Sequence, residues 1–280
     1  LKVAQNFNLD DFQEGLRRIL WALFLKIDIA DRVAVADDQD NADPSQYNGI
    51  PLLIGAYFFS IQIYCDFAGY SHMAIGLARM MGIKLMENFC RPYFADSVSD
   101  FWRRWHISLS TWFRDYVYIP LGGNRKGKFR EYLNLWITMV LSGLWHGAAW
   151  TYVAWGGLHA FFSSIEKFTG WPEWFKKYKL LKVIGGIFVL IQVNVAWVFF
   201  RSESISQAWE IIKVMFAFKG ELNTGWGING SIFIGIIFIR EIIAATGLGK
   251  SINRTAKKWL WLEIIALALY VGSSELSKDI

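Results

Sequence analysis

Residues 183–200, VIGGIFVLIQVNVAWVFF, run for 18 positions without a charged side chain. A helix crossing the hydrocarbon of a bilayer needs about 20 such residues, so this stretch reads as a membrane span. The composition agrees with it: 54% of the 280 residues are hydrophobic, 17% aromatic and only 19% charged, with a positive mean hydropathy. An ordinary soluble domain is more polar. The 15 tryptophans point the same way, because Trp and Tyr collect where acyl chains meet headgroups, ring in lipid and polar tip in water. The fold class predicted is all-α, a polytopic transmembrane helical protein.

The flanking charges give one alternating topology. Span 49–66, containing IPLLIGAYFFSIQIYCD, follows Asp37, Asp38, Asp40 and Asp43 and precedes Arg79, Lys84 and Arg91. The positive-inside bias puts its acidic side outside and its basic side in the cytoplasm. Residues 84–130 then carry Arg103, Arg104, Arg114, Arg125, Lys126, Lys128 and Arg130 among many aromatics, as interfacial helices at the cytoplasmic surface do, with a turn at Gly122, Gly123 and Asn124. The next apolar stretch, 131–166, is only 36 residues long and returns to the basic side at Lys176, Lys177, Lys179 and Lys182. Two short spans are therefore expected, with Gly143 to Ala149 as the tip of a hairpin or a broken helix at membrane depth, where irregular backbone needs protein or a water-filled cavity around it. Span 183–200 leads to an external segment, 201–226, whose charges cancel, and spans 231–247 and 259–272 continue the alternation across Lys250, Arg254, Lys257 and Lys258. Segment 10–35, apolar but carrying Lys26, Asp28, Asp31 and Arg32, fits either a buried span or an amphipathic surface helix.

Net charge is +5, but the basic residues are interleaved with spans and form no single solvated face, which argues against nucleic acid as a partner. Cys65 and Cys90 form no C-x-x-C pair and suggest neither zinc nor a disulfide framework. The opening LKVAQNFNLD has no secretory signal pattern and reads as the start of a piece of something longer.

Within this lipid-adapted chain, WRRWHISLSTWFRDYVYIPLGGNR at 102–125 and LSGLWHGAAW at 141–150 contain His106 and His146. Ionisable groups at membrane depth are costly and are functional candidates by default. The bland alternatives are a core histidine bonded to a carbonyl for His146 and a snorkelling interface beside Arg103, Arg104 and Trp105 for His106. His159 follows His146 by 13 residues; on one continuous helix it would turn to the far side, which favours packing. His72 is treated as non-catalytic, and the four histidines match no zinc signature, so no metal is expected. Arg114 and Asp115, neighbours about 100° apart on a helix, are not expected to pair. They are either contacts to a substrate and to His106 or a solvated interfacial pair. Asp66 is expected to end span 49–66 in a polar cavity or headgroup layer.

Three runs then carry a resemblance: QIYCDFAGYSHMAIGLARMMG at 62–82, NFCRPYFADSVSDFWRRWHISLSTWFRDYVYIPLGGNRKG at 88–127, and LSGLWHGAAWTYVAWGGLHA at 141–160. In this order they resemble the membrane-bound O-acyltransferase (MBOAT) family, in its bacterial alginate O-acetyltransferase branch, and WVFFRSES at 197–204 is similar as well. The match is strongest over 9–215. The resemblance implies a single domain over 1–280, missing its N-terminal spans, with a membrane-depth catalytic tunnel. His72 departs from it, since relatives commonly carry an acidic residue there. It implies acetyl transfer from a cytoplasmic thioester such as acetyl-CoA, with no permanently bound cofactor, toward hydroxyls of an extracellular, alginate-like polysaccharide. An extracytoplasmic relay protein is the implied partner, and the bacterial inner membrane the implied location. His146 matches the family's essential histidine and His106 a second polar member of the site. Trp105, Arg114, Asp115 and Trp145, beside or near them in sequence, are the candidate substrate-binding residues. The chemistry fits, since a hydroxyl attacks a thioester poorly until a positioned base takes its proton. The rival readings are D-alanyl transfer to teichoic acid, lipid acylation, a transporter using buried histidines as a proton relay, and a scaffold in an envelope-modifying assembly.

Overall fold

The structure, a computed structural model, describes residues 7–31 and 49–217, and every regular element among them is helical. The acidic flank at 37–43 and the spans expected at 231–247 and 259–272 lie outside the described residues. The described residues fall into two compact units, one of 7–31 with 65–85 and the other of 49–64 with 86–217.

In the first unit, helix α1 (Leu9–Leu23) begins at Asn8, whose Oδ1 accepts the backbone N–H groups of Asp10 and Asp11 at 2.9 and 3.3 Å. That satisfies two of the donors a helix start leaves unpaired. The helix runs on into a π-helical stretch, Phe24–Ala30. Gly15, Ala22, Leu25 and Ile29 form its buried stripe, while Glu14 and Arg17 pair at the surface. Segment 10–35 thus begins as an amphipathic helix with small residues on its packed face. That face meets the later part of α2 (Gly49–Met80). A Cβ on Gly15 would lie 2.6 Å from the Gly76 carbonyl oxygen, and one on Gly76 would lie 2.7 Å from that of Gly15. The two backbones therefore touch, a contact available only to glycine and typical of helix pairs in lipid. Arg79 Nε closes the pair on Asp11 at 2.9 Å.

Asp66 does not end its helix. Helix α2 continues through FAGYSHMAIGLARM to Met80, because those residues include no proline and half of them are strong helix formers, Ala, Leu, Met and Arg. The chain turns only at Gly82, with φ of 76°. The Asp66 carboxylate is instead met by Lys26 Nζ at 2.5 Å. Two described helices, over Leu52–Met80 and Leu180–Arg201, are long and apolar enough to cross a membrane.

The second unit follows the expected plan of short helices and then long ones. A 3-10 turn at Pro92–Phe94 precedes α3 (Val98–Arg104) and α4 (Ile107–Phe113). A π-helical turn at Arg114–Tyr118 and a glycine turn follow, in which Gly122 and Gly123 hold positive φ and the Gly123 carbonyl accepts the buried Asn134 amide at 2.9 Å. Helices α5 (Lys128–His146) and α6 (Trp150–Thr169) form a helical hairpin over 131–166, interrupted at 147–149, though neither is among the described helices long and apolar enough to cross a membrane. Then come α7 (Trp171–Phe175), α8 (Lys179–Arg201) and α9 (Ile205–Met215). The hairpin is closed by a second glycine pair. A Cβ on Gly143 would reach to 2.2 Å from the Tyr152 oxygen, and one on Gly156 to 2.3 Å from the Met139 oxygen.

The core of this unit is aromatic. Trp155, Trp197 and Phe101 are almost wholly buried, and Trp155 and Trp197 stack at 6.0 Å. Two polar contacts inside it join elements: Ser60 Oγ on α2 donates to Asn194 Oδ1 on α8 at 2.7 Å, and Tyr93 donates to the Ser60 carbonyl. In lipid such bonds join helices that the hydrophobic effect does not distinguish.

Candidate active site

His146 is the last residue of α5, and the chain leaves the helix at Gly147 in extended backbone. Only glycine fits there, because the Tyr152 ring occupies the place of a side chain: a Cβ would lie 2.6 Å from Tyr152 Cε2. The helix resumes at Trp150. The half-buried His146 ring is held edge to face by Trp155 at 5.2 Å and Phe200 at 5.1 Å. Trp145 at 5.0 Å and Tyr152 at 6.3 Å complete its surroundings. Three elements thus converge on one imidazole: the end of α5, the first turns of α6 and the end of α8.

His106 is positioned by a different device. It stands between α3 and α4 in the left-handed region, φ 42° and ψ 56°, a conformation that costs a non-glycine residue energy and persists only when its surroundings dictate it. Asn88 dictates much of it here. Its carbonyl accepts the Ile107 N–H at 3.0 Å and its Oδ1 accepts the Ser108 N–H at 3.1 Å. Asn88 therefore caps α4, and the His106 ring makes no capping bond. The Cys90 N–H bonds the Arg104 carbonyl at 2.9 Å and pins the other side of the turn.

The two histidines meet across one indole. Trp145, 58% exposed, lies 6.2 Å from the His106 ring and 5.0 Å from that of His146. Burial pushes the His106 imidazole down from 6.5 to about 4, and the charge of His146 acts in the same direction. His106 is therefore a neutral donor–acceptor at physiological pH.

The other sequence candidates divide. Trp145 belongs to the histidine cluster. Trp105 lies in the core, 4% exposed, between Phe101 at 5.6 Å, Phe89 at 5.0 Å and Trp197 at 5.1 Å, so it anchors the residue next to it. Arg114 and Asp115 are exposed and, contrary to the expectation from helical angles, they pair: Arg114 Nε donates to Asp115 Oδ1 at 2.7 Å. The angle between adjacent residues separates their Cβ atoms, but the long arginine folds back across it, on a π-helical turn. That hydrogen bond holds the Asp115 carboxyl below its usual range. His159 is fully buried in an aromatic cage, parallel to Phe101 at 6.2 Å and edge to face with Trp102 at 4.8 Å and Trp155 at 4.9 Å. His72 lies on the part of α2 that belongs to the first unit.

Sequence reasoning missed Asn88, Tyr152, Phe200 and Glu166. Glu166 had a signal, since an acidic residue at the end of an apolar stretch is itself a functional flag. Tyr152 and Phe200 had none, because aromatic residues fill this chain throughout, and Asn88 had none, because the helix start it caps lies 20 residues further on.

The model of MBOAT, the membrane-bound O-acyltransferase family, matches residues 14–208. The chain belongs to this family. It is 47% identical over 210 residues to the probable alginate O-acetylase AlgI of Pseudomonas putida, covering 75% of this chain and 42% of that protein. It is 36% identical over 219 residues to the peptidoglycan O-acetyltransferase of Helicobacter pylori, covering 78% and 42%. It is 38% identical over 136 residues to the teichoic acid D-alanyltransferase of Bacillus subtilis, covering 46% and 34%. The chain thus spans less than half the length of these relatives.

Proposed function

We propose that this MBOAT-family chain is the catalytic part of a multi-pass inner-membrane O-acyltransferase. It moves an acetyl group from a cytoplasmic thioester, acetyl-CoA, toward hydroxyls of an alginate-like extracellular polysaccharide, through an extracytoplasmic relay protein. The observation that carries this reading is the pairing of His146, at the break between α5 and α6, with His106 across Trp145. Names of relatives acting on alginate, peptidoglycan and teichoic acid support an envelope polymer as the acceptor.

In the proposed step a ring nitrogen of His146 accepts the acceptor's hydroxyl proton as that oxygen attacks the thioester carbonyl. The carbon–sulfur bond breaks, the thiolate takes the proton back from the imidazolium, and an ester and a free thiol leave. General-base help of this kind is worth roughly 100- to 10,000-fold in rate. His106 is the group that orients the donor or donates to the oxygen on which charge develops. Arg114, steadied by its bond to Asp115, is proposed to meet the donor's phosphates at the cytoplasmic surface, and Trp145 to line the path to His146.

A second reading, D-alanyl transfer, uses the same base and is favoured by the likeness to the teichoic acid D-alanyltransferase. The deciding experiment measures acetyl and D-alanyl esters on envelope polymers of cells lacking their own enzyme, complemented with the full-length protein, with His146→Ala, or with Phe168→Ala, a change at an exposed α6 position. Acetyl esters that vanish only in His146→Ala support the first reading, and D-alanyl esters that do so support the second. Esters unchanged by His146→Ala remove the acyltransferase assignment of the site.

A further inference from the structure

We infer that Glu166, on α6, is a positioning residue for the proposed transfer: it clamps the N-terminus of α3 and thereby sets His106 against His146. The inference rests on the catalytic reading of those two histidines. Helix α3 has only seven residues, too few to be stable on its own, so its place is decided by what it docks against. It leads directly into Trp105 and His106. Whatever moves α3 moves the His106 turn.

The clamp is made of charge-assisted bonds. Glu166 Oε2 accepts the Val98 N–H at 2.6 Å, and its two oxygens share the Ser99 N–H at 3.3 and 3.4 Å. Ser97 Oγ takes the Asp100 N–H at 3.0 Å. Together they satisfy the donors of the α3 first turn, and the carboxylate lies at the positive end of the helix. Glu166 is only 6% exposed, and among the described residues no basic side chain forms an ion pair with it. A buried carboxylate without a counter-ion is expensive; here the backbone of α3 supplies the compensation.

Glu166 is one end of a single stripe. Trp155, His159, Ser163 and Glu166 are all buried on α6 and recur every three or four residues, so they share one face. His159 holds α3 a second time through Phe101 and Trp102, and Trp155 forms the wall of His146. One helix face therefore touches both the carrier of His106 and the ring of His146. Errors of about 1 Å in such a relation cost up to 100-fold in rate.

The test uses membranes containing the full-length protein at matched abundance, with acetyl-CoA varied and ester formation on the polysaccharide as the readout. Glu166→Ala is expected to lower kcat at least about tenfold with KM for acetyl-CoA unchanged, because the reacting groups are misplaced while the donor still binds. Glu166→Gln, which keeps one acceptor in reach but loses the charge, is expected to recover part of that loss. If Glu166→Ala does not accumulate, Glu166→Gln alone decides: a reduced kcat at unchanged KM supports the clamp, and a wild-type kcat overturns it. A change confined to KM also overturns it. His146→Ala runs in parallel. Wild-type kcat in Glu166→Ala beside an inactive His146→Ala rejects the clamp alone, whereas an active His146→Ala rejects the reading of the site on which the clamp depends.

Discussion

Two helix pairs in this chain are closed in the same way and differ in what they do next. In the first unit, Gly15 and Gly76 bring α1 and α2 into backbone contact; in the second, Gly143 and Gly156 do so for α5 and α6. The α1–α2 pair is stitched by Arg79 to Asp11 and by Lys26 to Asp66, and α2 passes through the contact unbroken to Met80. The α5–α6 pair is interrupted at 147–149, and the interruption presents His146. Small residues thus solve the packing problem in both places, while the residue proposed as the base stands only where one helix ends against aromatic rings.

The largest expected effect tests that asymmetry. His146→Ala should lower ester formation at least about 100-fold, whereas Glu14→Gln, which removes the surface ion pair with Arg17 on α1, should leave the ester content of the polymer within about twofold, since exposed pairs contribute little. Equal losses from both would end the distinction between a reactive pair and a structural one.

Next in size is overpacking. Gly156→Leu and Gly76→Leu should each greatly reduce the amount of folded protein recovered in detergent, because the new side chain meets backbone that cannot yield, a cost of about 1–3 kcal/mol or more. Gly157→Leu is the control: a Cβ there approaches only the Trp136 ring, at 3.9 Å. If Gly156→Leu and Gly157→Leu are recovered equally, the close approach of α5 and α6 is not what holds the hairpin.

A smaller effect follows from pH. The His106 value falls from 6.5 to about 4 on folding, so the unfolded chain binds more protons in that window. The contribution to stability is complete above pH 6.5 and is lost as the pH falls toward 4. Thermal midpoints in detergent should decline over that range for the wild type and decline less for His106→Asn.

The smallest is Glu131→Gln, which breaks the pair Lys167 makes with Glu131 between the outer ends of α5 and α6. A partly exposed ion pair of this kind is worth at most about 1 kcal/mol, and a loss comparable to that of Gly156→Leu would shift the weight of the hairpin from its glycines to its charges.

Much of this was legible in the residues themselves. The uncharged run 183–200, the short double stretch 131–166 and the glycine turn at 122–124 are local patterns, and each lies inside or beside the element expected of it. Family motifs around His106 and His146 marked the two histidines. The stretch 84–130, expected at the interface, took the form of short helical elements, because its mixture of arginines and aromatics suits no long apolar face.

Tertiary structure decided the remainder. The charge of Asp66, inside its helix, is met by Lys26, 40 residues earlier. Arg114 and Asp115 pair because an arginine side chain is longer than the separation that helical angles describe. Glu166 became the cap of a helix that starts 68 residues before it, and His106 came beside Trp145 across a gap of 39 positions. Hydrophobic period and turn chemistry act over a few residues and are therefore written in the sequence. Which buried acceptor meets which orphaned N–H depends on how whole helices pack, and that is settled only when the helices have docked.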